Sequence, residues 1–175
     1  NLRKNTLIIF ASDNGAAIQA PIKILNCNAG FKGRKGTLYE GGIRVPFIVN
    51  QPGMVPIQTL DNLIYFPDMM PTLAALAKGT KHLPKQINGI NILPLFYGKQ
   101  VDTDNRLLYW EFPGKQRAAR KGDWKCVTIH PNQPLELYNL KEDPEETNNL
   151  AKKYPRRVKE FDEEMQRMHI PTPNW

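Results

Sequence analysis

The sequence predicts an α/β fold followed by a small antiparallel-sheet subdomain with a packed C-terminal helix. Three observations predict it. Two continuous apolar runs, TLIIFAS at 6–12 and RVPFIVN at 44–50, read as buried strands. A helical pattern, FPDMMPTLAALAKG at 66–79, follows them. From about residue 105 the style changes to short strand-like runs separated by turn residues, closing on an amphipathic helix.

Taken in order, the first run joins β-branched and aromatic residues without a polar break, as expected of a strand covered on both faces. ASDNG, residues 11–15, ends it abruptly. In open parallel sheets ligands gather beyond the carboxyl ends of strands, which is where Asp13 and Asn14 emerge. Two readings stay open at this point. Asp-Asn-Gly is a favoured hairpin turn, and a carboxylate beside an amide oxygen suits a hard cation such as Ca2+ or Mg2+. The second run is broken near its start by Pro46. In the helix, Asp68 is the expected N-cap, Pro71 is tolerated in the first turn and Gly79 is the stop. Leu73, Leu76 and Ala77 recur at the spacing of one buried face.

Residues 83–105 read as a connector punctuated by Pro and Gly, placing the boundary between a first domain, 1–100, and a second, 101–175. RLLYWEF, QRAARKGDWKCVTI and LELYNL supply the antiparallel strands. Pro155 then opens a helix with Val158, Phe161, Met165 and Met168 on one stripe. That stripe is expected to pack on the small sheet and to form core with Trp124 and Tyr138.

A chain of 175 residues with 41% hydrophobic and 23% charged residues has the makeup of an ordinary globular protein. No run approaches the roughly 20 apolar residues needed to span a bilayer. The opening NLRKNTLIIF has neither an initiator Met nor a basic-then-apolar leader, so any targeting segment is expected upstream or absent. The net charge of +7 is uneven: residues 1–100 carry 11 Lys or Arg against 4 Asp or Glu, and 101–175 carry 13 of each. An acid-poor front section fits an anionic partner, or acidic surface supplied by a further segment. Cys27 and Cys126 lack the spacing of a disulfide framework or a C-x-x-C site, and His82, His130 and His169 are isolated.

GFKGRKGTLYEGG, residues 30–42, interleaves Lys32, Arg34 and Lys35 with Gly30, Gly33 and Gly36. Glycine permits positive φ and close backbone approach, while the cations offer charge-assisted hydrogen bonds to an oxyanion. The order Lys35-Gly36-Thr37 is not that of a nucleotide P-loop, which requires Gly-Lys-Thr. Lys32 and Arg34 read as solvated cations of a basic loop.

TLIIFASDNGA, then GRKGTLYEGGIRVPFIVNQPG about twenty residues on, resembles the latter half of the catalytic domain of type I sulfatases. FPDMMPTLAALA, INGINILPLFYGK, RAARKGDWK and LELYNLKEDPEETNNLA follow in that family's order, so the resemblance covers nearly the whole chain. It implies an alkaline-phosphatase-like sheet portion and hydrolysis of a sulfate ester. It also implies that Asp13 and Asn14 are ligands of the active-site cation, Ca2+ or alternatively Mg2+. Lys35 matches the lysine that contacts the sulfate group. Glu40, Gly41, Gly42 and Arg44 match residues that shape the loop and the following strand. Trp110, Glu111 and Arg117, near the start of the small sheet, have two open readings, as contacts with the leaving group or as ordinary sheet residues.

The family's nucleophile is a formylglycine made from Cys or Ser in a sequence such as C-x-P-x-R, well before the Asp-Asn pair. CNAGF at 27–31 puts Phe31 where Arg is needed, and it follows Asp13. The chain is therefore expected to be a carboxyl-terminal piece, with its formylglycine upstream and little activity alone. The alternatives are a phosphate or phosphonate ester hydrolase on the same scaffold, or a non-catalytic sulfated-glycan-binding fragment. The implied partners are a sulfate-ester substrate, sulfated carbohydrates included, with no nucleic acid and no membrane span. Self-association through exposed apolar surface is expected, and the resemblance implies a periplasmic, secreted or lysosomal location.

Overall fold

The computed structural model describes residues 2–17, 19–113 and 116–171. In chain order it contains a 3-10 turn at Leu2–Asn5, strand β1 (Ile8–Ala11), helices α1 (Ile22–Leu25) and α2 (Glu40–Ile43), and strand β2 (Phe47–Asn50). A 3-10 turn at Phe66–Asp68 leads into α3 (Met69–Leu76), and one at Thr80–His82 precedes α4 (Leu93–Phe96). Strands β3 (Leu107–Phe112), β4 (Gln116–Lys121), β5 (Trp124–Thr128) and β6 (Glu136–Asn139) then precede α5 (Pro155–Met168). The chain forms two compact units, Asn1–Phe10 with Phe47–Asn105, and Ala11–Pro46 with Arg106–Trp175. No helix among the described residues is long and apolar enough to cross a membrane.

In the first unit β1 and β2 pair as a two-stranded sheet. Leu7, Ile9, Phe47 and Val49 pack against buried Ile92, Leu95 and Phe96, with the Phe47 and Phe96 ring centroids 6.1 Å apart. Ile8, Phe10 and Ile48 stay exposed, so the expectation of strands covered on both faces is corrected. An unbroken apolar run shows that both faces are apolar; in these two strands only the one facing α4 is covered. The connector reading of 83–105 is corrected too, because Ile92 and α4 are the centre of this unit's core. Four residues with Pro94 in the first turn are too few to show helical periodicity.

Helix α3 departs from its expected orientation. It buries Pro71 and Thr72, while Leu73, Leu76 and Ala77 are exposed. Polar groups set this rotation. The Thr72 hydroxyl accepts from Ile92 N–H at 3.0 Å, and the Asp68 carboxylate accepts from Tyr65 N–H at 3.0 Å and Ile90 N–H at 2.9 Å. Asp68 does occupy the N-cap position, yet its side chain bonds outside the helix. At the other end Lys78, not Gly79, takes the left-handed conformation, with φ of 56°.

The second unit is built on the antiparallel sheet β3-β4-β5-β6. Its register aligns Tyr109, Ala119, Cys126 and Leu137 in one cross-strand row. The neighbouring row is Trp110, Ala118, Val127 and Glu136. Side chains alternate across a sheet, so adjacent rows face opposite ways. The first row packs with Phe161 and Met165 of α5, as the stripe predicts, and Val158 and Trp124 join them. Burying two such side chains contributes about 1.5–3 kcal/mol each. On the opposite face Ala118, Val127 and Tyr138 pack with Leu38, Tyr39 and Leu140. The sheet is thus covered by a helix on one side and by the segment leading into α2 on the other.

The tail after β6 is shaped by short polar side chains. Asp143 accepts from Thr147 N–H at 3.0 Å and Asn148 N–H at 2.8 Å, and Asn149 accepts from Leu137 N–H at 3.1 Å. Between them Glu146 sits at φ of 55°, a left-handed conformation that a non-glycine residue adopts only where surrounding contacts hold it.

Candidate functional site

The turn after β1 does not join neighbouring strands of a hairpin, because β1 pairs with β2, more than thirty residues later. Its conformation is fixed by its own polar groups. The Ser12 hydroxyl donates to the Asn14 carbonyl at 2.8 Å, and the Asn14 amide nitrogen donates to the Gly15 carbonyl at 3.0 Å. That commits the NH2 of Asn14 and leaves its amide oxygen without a partner among the described residues. Asp13 is exposed beside it.

Two backbone bonds stitch this turn to the glycine-rich loop. Gly15 N–H donates to the Gly42 carbonyl at 2.9 Å, and Lys35 N–H donates to the Ala16 carbonyl at 2.9 Å. Both segments also crowd Gly41. A Cβ on Gly41 would lie 2.6–2.7 Å from the carbonyl oxygens of Phe31, Lys32 and Gly33. Gly41 N–H donates to the Lys32 carbonyl at 2.7 Å. No larger residue fits between these walls.

Within the loop, the Thr37 hydroxyl donates to the Arg34 carbonyl at 2.9 Å and accepts from Arg34 N–H at 3.2 Å. This closes the short turn that presents Lys35 to solvent, and Gln116 at the start of β4 supports it by donating to the Gly36 carbonyl at 3.0 Å. The Lys35 ammonium has no partner among the described residues. Asp13, Asn14 and Lys35 are therefore carried by two segments joined through their main chains, with Asp13 and Lys35 exposed.

Lys32 is not a freely solvated cation, which corrects that reading. Its ammonium donates to the Tyr138 hydroxyl at 2.9 Å, lies 3.5 Å from Glu136 and sits 4.0 Å from the centre of the Tyr39 ring. The hydroxyls of Tyr39 and Tyr138 each donate to Glu136 at 2.7 Å. Burial, then this carboxylate, pushes both phenols well above the ordinary tyrosine range. Lys32 is the clamp that holds the loop to β6. Arg34 is exposed, as read.

A second set of charges anchors Glu40, the residue that opens α2. Lys125 is fully buried, with its ammonium 2.8 Å from Glu40 and 2.9 Å from Glu146. Glu146 also accepts from Glu40 N–H at 2.7 Å, while Arg120 and Arg44 lie 3.6 and 3.7 Å from the other Glu40 oxygen. Burial pushes the Glu146 carboxyl up, and Lys125 opposes that shift. The sequence carries a faint signal for this group: a lysine inside WKCVT, at a position where strand alternation points it inward.

The remaining candidates divide by sheet face. Trp110 packs on the loop face, with Tyr39 and Tyr138 in its cluster. Glu111 and Arg117 lie on the α5 face: Arg117 is 3.7 Å from Asp162 of α5, and Glu111 is 2.6 Å from His169. Gln116, next to Arg117, is the residue that reaches the Lys35 loop. Cys126 is buried and its thiol is pushed up to about 12, first by burial and then by the charge of Asp162. Cys27 is exposed. Among the described residues no group of three or more His, Cys, Asp or Glu side chains could hold a metal ion.

Comparison with known proteins agrees with this architecture. Residues 31–170 match the family model for the C-terminal part of N-sulphoglucosamine sulphohydrolase. A sulfatase of Formosa agariphila is 32% identical over 88% of this chain, and the matched region is 30% of that protein. N-acetylgalactosamine-6-O-sulfatase of Bacteroides thetaiotaomicron is 30% identical over 93% of the chain and 36% of the relative. A solved structure connected with glycosaminoglycan metabolism by Bacteroides thetaiotaomicron superposes with a TM-score of 0.83 at 29% identity, over 95% of this chain and 39% of that one. The structure of Ps i-CgsB with k-i-k-neocarrahexaose gives 0.76 at 27% identity, over 95% and 37%. The chain spans about a third of the length of the curated relatives it matches. With four fifths of its residues inside that family model, the chain belongs to the N-sulphoglucosamine sulphohydrolase C-terminal family of the type I sulfatases.

Proposed function

We propose that these residues serve hydrolysis of a sulfate ester, with Asp13 and Asn14 as ligands of a divalent cation, Ca2+ or Mg2+, and Lys35 as the contact to the sulfate group. The observation that carries this reading is the pair of backbone bonds from Gly15 to Gly42 and from Lys35 to Ala16, which join the carboxylate-amide turn to the lysine loop. The donors fit a hard cation. Asp13 offers an exposed carboxylate, and Asn14 has its NH2 committed and its oxygen without a partner among the described residues. Two oxygens fill only part of a Ca2+ shell of about six to eight. When bound, such a cation stabilises negative charge on the sulfuryl oxygens.

The chemistry open to this chain is electrostatic. The Lys35 ammonium donates charge-assisted hydrogen bonds to an anionic sulfuryl oxygen and favours charge that develops there during S–O cleavage. Gln116 and Thr37 hold the turn that aims it. Cys27 does not fit the formylglycine sequence, because Phe31 occupies the place of the required Arg, and no step is assigned to it. Sulfated carbohydrates are the proposed substrate class, in line with relatives named as an N-acetylgalactosamine-6-O-sulfatase and an endo-4-O-sulfatase. Arg117 is assigned to anchoring α5 and not to substrate.

The test is hydrolysis of an activated aryl sulfate, and of the matching aryl phosphate, by the protein at its natural length with Ca2+ and with chelator. Metal-dependent sulfate turnover that Asp13→Ala abolishes supports the reading. Preferential phosphate turnover, or binding of sulfated sugar without turnover, replaces it.

A further inference from the structure

We infer that Lys125 is a positioning residue for the proposed sulfate site, acting through Glu40 on both segments that carry it. Lys125 lies on β5 and touches neither Asp13, Asn14 nor Lys35. It is fully buried, as are its two carboxylate partners, Glu40 at 2% exposure and Glu146 at 1%. One ammonium at 2.8 and 2.9 Å from two buried carboxylates fixes their separation: without it Glu146 loses its cation in a low-dielectric setting, and Glu40 keeps only the longer contacts from Arg120 and Arg44.

The mechanical path from Lys125 to the site is short and covalent for most of its length. Glu40 precedes Gly41 and Gly42 directly. Gly42 receives the hydrogen bond from Gly15, which follows Asn14, and Gly41 donates to Lys32, three residues before Lys35. A Cβ on Gly42 would lie 2.1 Å from the Thr37 carbonyl oxygen and 2.6 Å from that of Arg34, so the turn bearing Lys35 also rests on this glycine pair. The two halves of the site therefore take their relative position from Gly41-Gly42. Among the described residues, only Glu40 ties that pair to the sheet through a buried charge. Glu146 completes the tie by accepting the backbone N–H of Glu40 as well, at 2.7 Å. Glu146 holds this position from a left-handed backbone, with φ of 55°.

This inference rests on the reading of Asp13, Asn14 and Lys35 given above, and its test keeps the two apart. Lys125→Met and Glu146→Gln are compared with the unaltered protein, at its natural length, by hydrogen–deuterium exchange and by kinetics on an activated aryl sulfate. Glu146→Gln keeps the side-chain shape but removes one of the two charges that hold the Lys125 ammonium against Glu40, and serves where Lys125→Met does not fold. Exchange in segments 13–16 and 31–43 should rise about tenfold or more, with that of α5 unchanged. The kcat should fall about tenfold to a hundredfold, as misplacement of a site by about 1 Å does, with KM within about twofold. An equal rise through α5, no rise in the two segments, an unchanged kcat, or failure of both variants to fold would each overturn it. A parent protein without sulfate turnover overturns the functional reading instead, while the exchange pattern still judges the positioning role.

Discussion

Gly15 and Gly41 approach so closely that a Cβ on Gly15 would lie 1.8 Å from the Gly41 carbonyl oxygen. The contact belongs to the same glycine seat that receives the Lys35 loop, so space at one position governs both segments.

Gly15→Ala should therefore displace the Asp13–Asn14 turn from α2. Forcing an extra carbon into a filled space costs about 1–3 kcal/mol. Urea denaturation should show that loss, and titration calorimetry with Ca2+ should show weaker binding than in the parent.

Lys35→Ala and Lys32→Ala should separate activity from stability. Removing the exposed Lys35 should leave the melting temperature within about 2 °C and lower kcat about 100-fold, near 3 kcal/mol for loss of a transition-state charge contact. Lys32→Ala should instead lower the melting temperature, because it strips the cation from Tyr39, Tyr138 and Glu136. Equal kinetic losses with unchanged melting in both would refute the separate roles.

Met165→Ala should cost about 2–5 kcal/mol and Phe161→Ala about 3–5 kcal/mol. Each is a main side chain of α5 against the sheet, at 0% and 6% exposure. Exchange protection should fall first in α5, and the circular dichroism signal of the folded state should be retained.

The two thiols should differ sharply. Cys27 is exposed and should react with a disulfide reagent at pH 8, whereas Cys126 should react only on unfolding. The Cys126 thiol has an ordinary value of 9.0 and is pushed up to about 12 in the folded chain. The folded state thus holds this proton more tightly than the unfolded state does. Its contribution to stability is complete below pH 9 and is lost as pH rises from 9 towards 12. Denaturation midpoints measured across that range should decline, and the decline should be shallower in Cys126→Ala.

The readable parts of this fold are those where one periodicity controls burial. The strands of the second sheet and the α5 stripe follow alternation and the 3.6-residue repeat, and Phe161 and Met165 sit where that repeat puts them. The stripe on α3 misled because Thr72 and Asp68 turn the helix by binding backbone amides of the 90–92 segment. No one-dimensional pattern reports such a bond. The Lys35 loop was legible as a motif, through its glycines and its likeness to sulfatases. Its supports were much less so: Gln116, Lys125, Glu136 and Glu146 lie eighty or more residues away, and polar side chains in short strands and tails read from sequence as solvated, with the lysine inside WKCVT the one faint signal. Arg117 drew attention over Gln116 because charge is conspicuous, although alternation sends the two to opposite faces.

That alternation divides the second sheet into two independent ledgers of mutational tolerance. Along β4, Gln116, Ala118 and Arg120 look toward the Lys35 loop and α2, while Arg117 and Ala119 look toward α5. A change on the helix side meets α5 first, where a compensating change can answer it without touching the loop. A single inserted residue has no such refuge. It would exchange the two inventories at once, sending Arg117 into the loop's apolar seat and Gln116 under the helix. Length, more than composition, is the property of β4 that selection must guard.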